Sequence, residues 1–385
     1  MKKIGIITLY HNNRNYGGLL QAYALQSFLA EQGFDSEVVD YIADNHQYLK
    51  NRFNNLGLKR SAVILKKKTM TQLFFFFHKK IKNKISHRQE LFNNFQASIP
   101  HSKEVLDDGL DGQLSNYDYL VVGSDQVWNP GLWNRAYLLD VDGFRGKKIS
   151  YAASIGRSFL TPKEQESLGK ALKDFKSISV RESSAKKILD EFLDRSVVET
   201  LDPTFLKTKE EWSKFANKPD SAPEQYIFAY FLDDNAAFKK ELSILSKKTG
   251  LPIVSIPHLQ SGVSKTDEKY SDIKLYDASV PNWVWLVQNA SFVATDSFHG
   301  TAFSLNSNVP FISFSKGRLN DEQSINSRLM DLLNEFGLSD RFVTDFRQVS
   351  DVFNRPIDFA ISNQLLAERR QQSKTFLLNE LEENK

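Results

Sequence analysis

The stretch TDSFHGTAF, residues 295–303, places Asp296, Ser297 and His299 directly after an apolar run and before a segment with a helical pattern. Followed by Gly300, the histidine lies beside free backbone N–H groups of a helix start, where anionic ligands are favoured. His299 is therefore a candidate for proton transfer beside an anion, with Asp296 as a candidate orienting or charge-stabilising partner. In a second interpretation, Asp296 or Ser297 caps the helix and His299 packs in the core.

A second candidate loop follows the first apolar run of the chain, in the segment NNRNYGGLLQAY, residues 12–23. Its paired glycines, Gly17 and Gly18, would let the backbone approach a ligand at the start of a helix. Asn15 and Gln21 are the polar side chains that flank them. The alternative is that the glycines serve only the turn.

A third candidate loop is GSDQVWN, residues 123–129. Ser124, Asp125 and Gln126 form a polar set, and Trp128 is an aromatic residue of the kind that stacks on sugar faces. The alternative is a polar turn with Trp128 packed in the core.

Apolar runs of strand length alternate with helical patterns, which predicts an α/β fold with two Rossmann-like doubly wound domains facing across a cleft. The predicted limits are 1–200 and 201–356, with a carboxy-terminal helix over 357–385 that packs across the junction. In such sheets ligands bind outside the carboxyl ends of the strands, so the three loops should line the cleft. The segment LDPT, which begins at Leu201, is interpreted as a connector because proline restricts Asp202 to extended conformations. The predicted strands are Ile4–Leu9, Tyr119–Gly123, Ile149–Ala153, Ile178–Val180, Tyr226–Leu232, Ile253–Ile256, Phe292–Ala294 and Phe311–Phe314.

A basic segment interrupts the first predicted domain, because no Asp or Glu occurs between Asp44 and Glu90. Lysines at 66–68, 79, 80, 82 and 84 accompany a phenylalanine-rich stripe at helical spacing, which predicts a basic amphipathic insertion near 59–95. The segment either packs on its own domain or contacts an anionic membrane or a lipid-linked substrate.

Composition excludes several function classes. The 385 residues are 41% hydrophobic and 25% charged, and the net charge of +3 is too small to argue for nucleic-acid binding. The chain has no cysteine, which excludes disulfides, a thiolate nucleophile and a cysteine zinc site and favours the cytoplasm. Neither a signal-peptide core nor a run of transmembrane length is expected. No HExxH motif or DxD-like carboxylate pair flanks an obvious cleft loop, so we expect a metal-independent reaction.

Six segments in order resemble the polysaccharide pyruvyl transferase family: NYGGLLQAYAL, YDYLVVGSDQVWNP, ISYAASIG, SVRESSA, LDPTFL and TDSFHGTAFSLNSNVPFISF. The resemblance extends from Ile4 to about Leu338. It implies a GT-B-like fold and transfer of a pyruvyl group from phosphoenolpyruvate to sugar hydroxyls as a ketal. It also implies that phosphoenolpyruvate is a donor substrate and that no cofactor is needed.

The resemblance assigns the family's motif histidine to His299 and its motif arginine to Arg181, and Ser154 of ISYAASIG joins the binding candidates. Many members have an arginine two residues before the histidine, where this chain has Ser297. Phosphoenolpyruvate carries a phosphate and a carboxylate, which need cations. Besides Arg181, the candidate substitutes are Lys316, Arg318 and Arg328.

The sequence thus predicts a cytoplasmic transferase, peripheral at the inner face of the membrane if the basic segment binds lipid. Its acceptor would be a sugar of a surface polysaccharide or of its lipid-linked precursor. A GT-B-type nucleotide-sugar glycosyltransferase and a non-catalytic carbohydrate- or anion-binding protein are the alternatives, and Ser297 favours the first of these two. The acceptor sugar and the oligomeric state stay open.

Overall fold

Short apolar stretches of the chain become the strands of two parallel sheets. The computed structural model describes residues 2–43, 74–233, 235–257, 270–316 and 326–382. The first sheet has the order β2-β1-β3-β4-β5-β6. Its central strand β3, YLVV, is buried at every position, as expected for a parallel sheet covered on both faces. The strands are β1 (Lys3–Ile7), β2 (Asp35–Val38), β3 (Tyr119–Val122), β4 (Lys147–Ala153), β5 (Phe175–Val180) and β6 (Val198–Glu199).

The second sheet repeats this architecture with the order β12-β11-β10-β7-β8-β9, again with every pairing parallel. Its strands are β7 (Ile227–Tyr230), β8 (Ile253–Ser255), β9 (Ile273–Lys274), β10 (Phe292–Thr295), β11 (Phe311–Phe314) and β12 (Phe342–Val343). The predicted fold class, two doubly wound α/β sheets, is confirmed. The four strands that lack a long apolar run, β2, β6, β9 and β12, were not predicted, and three of them have two residues each.

Helices connect the strands and cover both sheets. Several begin at a capping box, in which the side chain and backbone of the first residue are satisfied by the residue three positions later, as at Thr161, Thr208 and Ser279. The helices are α1 (Tyr16–Glu31), α2 (Lys79–Ser98), α3 (Leu110–Leu114), α4 (Pro162–Leu172), α5 (Ser183–Asp190), α6 (Lys209–Phe215), α7 (Ala236–Thr249), α8 (Val280–Gln288), α9 (Phe298–Ser307), α10 (Ser327–Glu335), α11 (Val349–Asn354) and α12 (Ala360–Leu381).

One hydrophobic cluster contains residues of both halves of the chain. Tyr16, at the start of α1, stacks on Trp283 of α8 with ring centroids 5.9 Å apart. Its hydroxyl donates to the Ala278 carbonyl oxygen at 2.7 Å. Burial raises the pKa of Tyr16 to about 12, so the hydroxyl stays protonated as this hydrogen bond requires. The two sheets are thus fastened together next to the amino terminus of α1.

The last helix, α12, contacts elements of both halves. The Ser373 hydroxyl oxygen accepts from the Leu201 N–H at 2.9 Å. Arg370 donates to the carbonyl oxygen of Phe205 and to the Asn306 side chain. The domain limits proposed from the sequence stay predictions, because the shared cluster and α12 give the chain no simple dividing line.

The basic segment is described only from Phe74 onward, so the part of the predicted insertion at 59–73 lies outside the described residues. Helix α2 buries Ile85 and Phe92 and exposes most of its other side chains. Lys84 pairs with Asp277 at 3.1 Å, which places α2 against the second half of the chain. No helix in the described ranges is both long and apolar enough to cross a bilayer.

Candidate functional site

His299 lies in the first turn of α9, immediately beyond the carboxyl end of β10. Ser297 is the N-cap of this helix, and its hydroxyl oxygen accepts from the Gly300 N–H at 3.3 Å. Gly300 packs on Thr295, and a Cβ built on Gly300 would come within 2.5 Å of the Thr295 hydroxyl oxygen. The His299 side chain is only 9% exposed. Ser297 therefore caps the helix, while His299 lines a cavity and its role in proton transfer stays a prediction.

The two halves of the chain meet at His299. A Cβ built on Gly17 of α1 would overlap the His299 imidazole, so glycine is required for this approach. Asn15 caps α1 by accepting from the Gly18 N–H at 3.3 Å. A Cβ on Gly18 would in turn overlap the Asn13 side chain. The paired glycines thus serve close packing as well as the helix start.

Asp202 is the acidic partner of His299. Its Oδ2 lies 3.6 Å from the His299 Nε2, an ion-pair distance rather than a hydrogen bond. Asp202 is fully buried and accepts from Ser124 Oγ at 3.0 Å and from Thr204 through both N–H and hydroxyl. Burial alone would raise the Asp202 pKa, but the charges of His299 and Arg181 together with these hydrogen bonds hold it well below its usual range. Asp202 is therefore a carboxylate at neutral pH.

The proposed pairing of Asp296 with His299 is wrong. The Asp296 oxygens accept from the backbone N–H groups of Leu232 and Asp233 at 2.7 and 2.9 Å. Burial raises the Asp296 pKa, opposed by Lys316, whose ammonium lies 3.9 Å away. Asp296 therefore fixes the loop after β7, and sequence adjacency to His299 did not bring the two side chains together.

Arg181 lies behind the site rather than in it. Its guanidinium is 1% exposed, pairs with Asp202 Oδ2 at 2.8 Å and lies over the Phe298 ring at 4.2 Å. Burial would lower its pKa, but Asp202 and Glu182 raise it above its ordinary value. Glu182 is itself buried, which raises its pKa, and it accepts from Ser154 Oγ. In this structure Arg181 acts on Asp202, and a direct contact with a ligand stays a prediction.

A cavity of about 1080 Å³ opens between the carboxyl ends of the two sheets, and we call it the cleft cavity. At one end its lining includes His299, Ser297 and two cations, Lys316 and Arg328. Burial lowers the pKa of both cations. With the Gln126 amide oxygen turned toward Arg328, it accepts from both terminal guanidinium nitrogens at 3.1 Å. This end can bind an anion beside an imidazole.

The predicted catalytic and binding residues divide by depth. Seven line the cleft cavity: Asn15, Asp125, Gln126, Ser297, His299, Lys316 and Arg328. Three are completely buried beneath it, namely Gln21, Ser124 and Ser154, and they position the loops through hydrogen bonds to Thr8, Asp202 and Glu182. Arg318 lies outside the described residues.

The interpretation of Trp128 as a sugar platform is wrong, because its side chain is 0% exposed. Trp133, five residues later, lines the cleft cavity instead. Its indole N–H donates to the Trp128 carbonyl oxygen at 2.8 Å, which fixes the orientation of the ring. Sequence reasoning also missed Asp202. The signal was present in LDPT, since an aspartate two residues before Thr204 can cap the following 3₁₀ turn from a buried position.

One further group of chemically capable side chains lies near the cavity in the described part of the chain. His11, Asp40 and Glu104 place one ligating atom each within 4.8 Å of one another. His11 and Asp40 already hydrogen bond to each other, so we treat them as a pair and assign no metal to them.

Solved structures with the same architecture are sugar-nucleotide enzymes of GT-B fold. UDP-GlcNAc 2-epimerase from Methanocaldococcus jannaschii aligns with a TM-score of 0.56 at 11% identity, over 98% of this chain and 100% of the epimerase. A putative UDP-N-acetylglucosamine 2-epimerase from Listeria monocytogenes gives a TM-score of 0.51 at 12% identity, with 96% of each chain covered. An S. aureus MnaA structure with UDP gives a TM-score of 0.50 at 13% identity, over 100% of this chain and 99% of MnaA. At these identities the likeness shows the GT-B fold, as expected, and nothing more.

The family model described as polysaccharide pyruvyl transferase matches residues 15–316, which extend from the cap of α1 to Lys316. No curated protein sequence gives a significant match to the chain.

The contact between Gly17 and His299 predicts a specific effect of one methyl group. Gly17→Ala should displace the imidazole and cost about 1–3 kcal/mol of unfolding free energy through overpacking. Chemical denaturation and the ring NMR signals of His299 measure the two effects. Gly112→Ala in α3 is the matched control, since a Cβ there meets nothing within 4 Å. Unchanged stability together with unchanged ring signals in Gly17→Ala would refute the packing argument.

The burial of Arg181 predicts a stability effect. Arg181→Met removes the guanidinium beside a fully buried carboxylate and should cost roughly 3–5 kcal/mol of unfolding free energy. Arg181→Lys keeps a positive charge and should lose less unfolding free energy than Arg181→Met. Equilibrium denaturation of the three proteins tests the order, and equal stabilities for wild type and Arg181→Met would show that Asp202 does not depend on Arg181.

Proposed function

Because this chain belongs to the polysaccharide pyruvyl transferase family, we propose that it transfers the pyruvyl group of phosphoenolpyruvate to two hydroxyls of an acceptor sugar. The observation that carries the proposal is the position of His299, which faces the cleft cavity with the Asp202 carboxylate behind it. The family indicates a transferase in polysaccharide synthesis, and the donor and acceptor are the proposed part.

The cation-lined end of the cleft cavity suits the donor. Phosphoenolpyruvate presents a phosphate and a carboxylate. The forked guanidinium of Arg328 can donate two hydrogen bonds to such a group, and the Lys316 ammonium adds a point charge. The amino terminus of α9 adds backbone N–H groups and a favourable dipole. Arg328 would thereby supply the charge that the family's arginine provides where this chain has Ser297. No cofactor or metal is needed for this step.

The chemistry assigned to His299 is delivery of a proton to the methylene carbon of the donor. Positive character then develops at the adjacent carbon, which an acceptor hydroxyl attacks, and phosphate leaves. Because the Nε2 of His299 faces Asp202, we assign the proton exchange with the ligand to Nδ1, which lies at the contact with Gly17. A carboxylate behind an imidazole stabilises the imidazolium that must donate. Asp202, kept ionised by Arg181, is the positioning residue for this acid.

The aromatic part of the cleft cavity's lining suits a sugar. Trp133 offers an aromatic face of fixed orientation, and the neighbouring rings of Tyr41 and Tyr137 also line the cavity. The Tyr41 hydroxyl donates to Asp107 at 2.6 Å, so this wall contains hydrogen-bonded polar groups beside aromatic rings. Aromatic faces with a few polar groups are typical of carbohydrate sites. The proposed acceptor is a sugar of a surface polysaccharide or of its lipid-linked precursor.

Donor identity is tested with His299→Gln. Phosphate released from phosphoenolpyruvate in the presence of methyl hexopyranosides should fall by roughly 10²–10⁴, the usual contribution of general acid catalysis, while melting temperature stays near that of wild type. Donor binding, measured by calorimetry, should survive better than turnover because Lys316, Arg328 and the helix terminus remain.

A structural histidine gives the opposite result: a lowered melting temperature and a normal rate for each folded molecule. Sugar transfer from a nucleotide sugar, with no phosphate release from phosphoenolpyruvate, would instead establish the glycosyltransferase alternative that Ser297 leaves open.

We also propose that the protein works at the inner face of the membrane, where phosphoenolpyruvate is available and lipid-linked acceptors are built. Phe76 and Phe77 are 69% and 71% exposed and directly precede α2. The side chains of Lys79, Lys80 and Lys82 are exposed on the first turn of that helix. Exposed aromatic rings next to lysines favour an anionic bilayer surface.

Vesicle binding tests this surface. Reversing the charge of Lys79, Lys80 and Lys82 should weaken sedimentation with vesicles that contain anionic lipid, by about 1 kcal/mol for each lysine that lies near the lipid. The same reversal of Lys163, Lys170 and Lys186, which lie on α4 and α5, is the control. Wild type that ignores anionic vesicles even at low salt would contradict the proposal.

A further inference from the structure

A second histidine with a carboxylate partner faces the cleft cavity from the first half of the chain. His11 follows β1, and its side chain, 22% exposed, lines the cavity. Its Nδ1 lies 2.9 Å from Asp40 Oδ1, in the loop that follows β2. Because β1 and β2 are parallel neighbours, their carboxyl ends bring His11 and Asp40 to one edge of the sheet.

The hydrogen-bond partners of His11 favour one tautomer of its ring. The Asn12 amide nitrogen, which can only donate, lies 2.7 Å from His11 Nε2. With the amide in this orientation Nε2 accepts, and Nδ1–H donates to Asp40 Oδ1. This is the tautomer of a general base whose orientation is held by a carboxylate. Asn12 occupies the position from which a ligand hydroxyl would donate to the same nitrogen.

Asp40 is itself rigidly held. Its backbone N–H donates to Ser102 Oγ at 3.1 Å, and its carbonyl oxygen accepts from the Val105 N–H at 2.9 Å. Its side chain is 11% exposed. Two other titratable groups lie near the pair in the described part of the chain, the exposed Glu104 and the buried Tyr10, whose pKa is raised by burial and by the charge of Asp40. His11 is thus held by a hydrogen bond to Asp40 in the first half of the chain, and the donor chemistry proposed for His299 does not use it.

We propose that His11 is the base that takes the proton of the attacking acceptor hydroxyl, an assignment that rests on the proposed function. Ketal formation removes two hydroxyl protons, one of which ends on the methyl carbon and the other on phosphate. His299 gives its proton to the methylene carbon while the first hydroxyl forms a C–O bond and yields its proton to His11. The C–O bond to phosphate then breaks, and His11 passes its proton to the leaving phosphate. The second hydroxyl forms the second C–O bond, and its proton restores His299.

The test compares His11→Gln and Asp40→Asn with wild type, using phosphate release from phosphoenolpyruvate and the methyl hexopyranoside that wild type uses best. His11→Gln should lower kcat by roughly 10²–10⁴ with donor affinity and melting temperature unchanged, and added imidazole should restore part of the rate. Asp40→Asn should lower kcat as well, because an amide that donates to Nδ1 moves the ring proton to Nε2. His87→Gln, on the exposed face of α2, is the matched control and should keep full activity.

Each outcome decides the assignment. Full kcat in His11→Gln, with an active wild type that depends on His299, would overturn the role of His11 and leave the proposed function intact. A raised KM with an unchanged kcat would make His11 a binding residue only and overturn it too. Activity that chelation abolishes and Mn²⁺ restores would assign His11, Asp40 and Glu104 to a cation and overturn the base. A wild type that releases no phosphate with any acceptor contradicts the proposed function, and this inference with it.

Discussion

The approach of Gly17 to the His299 imidazole is the constraint on which the rest of the site depends. It places the first turn of α1 against the first turn of α9, and these are the helices that follow β1 and β10 at the carboxyl ends of the two sheets. Any larger residue at Gly17 would separate the halves at the point where the cleft cavity is built. Tyr16, one residue earlier, adds the hydrogen bond and ring stacking that hold this approach in place. The site is therefore a product of packing between the halves, and neither sheet contains it alone.

Buried charge imposes the second constraint. Arg181, Glu182 and Asp202 have side chains that are at most 3% exposed, and an isolated charge there would be expensive. Pairing Arg181 with Asp202 keeps the carboxylate ionised, and the carboxylate can then act on His299. Such pairs contribute little net stability when formed, yet removing one partner is costly. The arrangement therefore does more to position the His299 imidazole than to stabilise the fold.

The sequence predicts those parts of the molecule that depend on local pattern. Long apolar runs identified the central strands, and the polar loops after them identified residues that line the cleft cavity, such as Gln126 and His299. Prediction from the sequence failed where the position of a side chain depends on long-range packing. Trp128 and Trp133 are both indoles after a strand, and only the tertiary structure decides which one is buried. The partner of His299 is Asp202, 97 positions away, because spatial adjacency at sheet edges outweighs adjacency in sequence. The His11–Asp40 pair could be predicted only by knowing that β1 and β2 are neighbours in the sheet.

The shared core also bears on how a ligand enters the cleft cavity. Domains joined by a small polar interface move relative to one another by default, whereas a large hydrophobic interface resists such motion. Here one hydrophobic cluster includes residues of α1, α8, α9 and α12, so a wide rotation of the halves would expose apolar surface and break the contact of Gly17 with His299. Because the cavity already opens to solvent between the sheet edges, a ligand can enter without that rotation. His299, Lys316, Arg328 and Trp133 all line this one cavity, so a ligand that contacts them needs no closure of the halves.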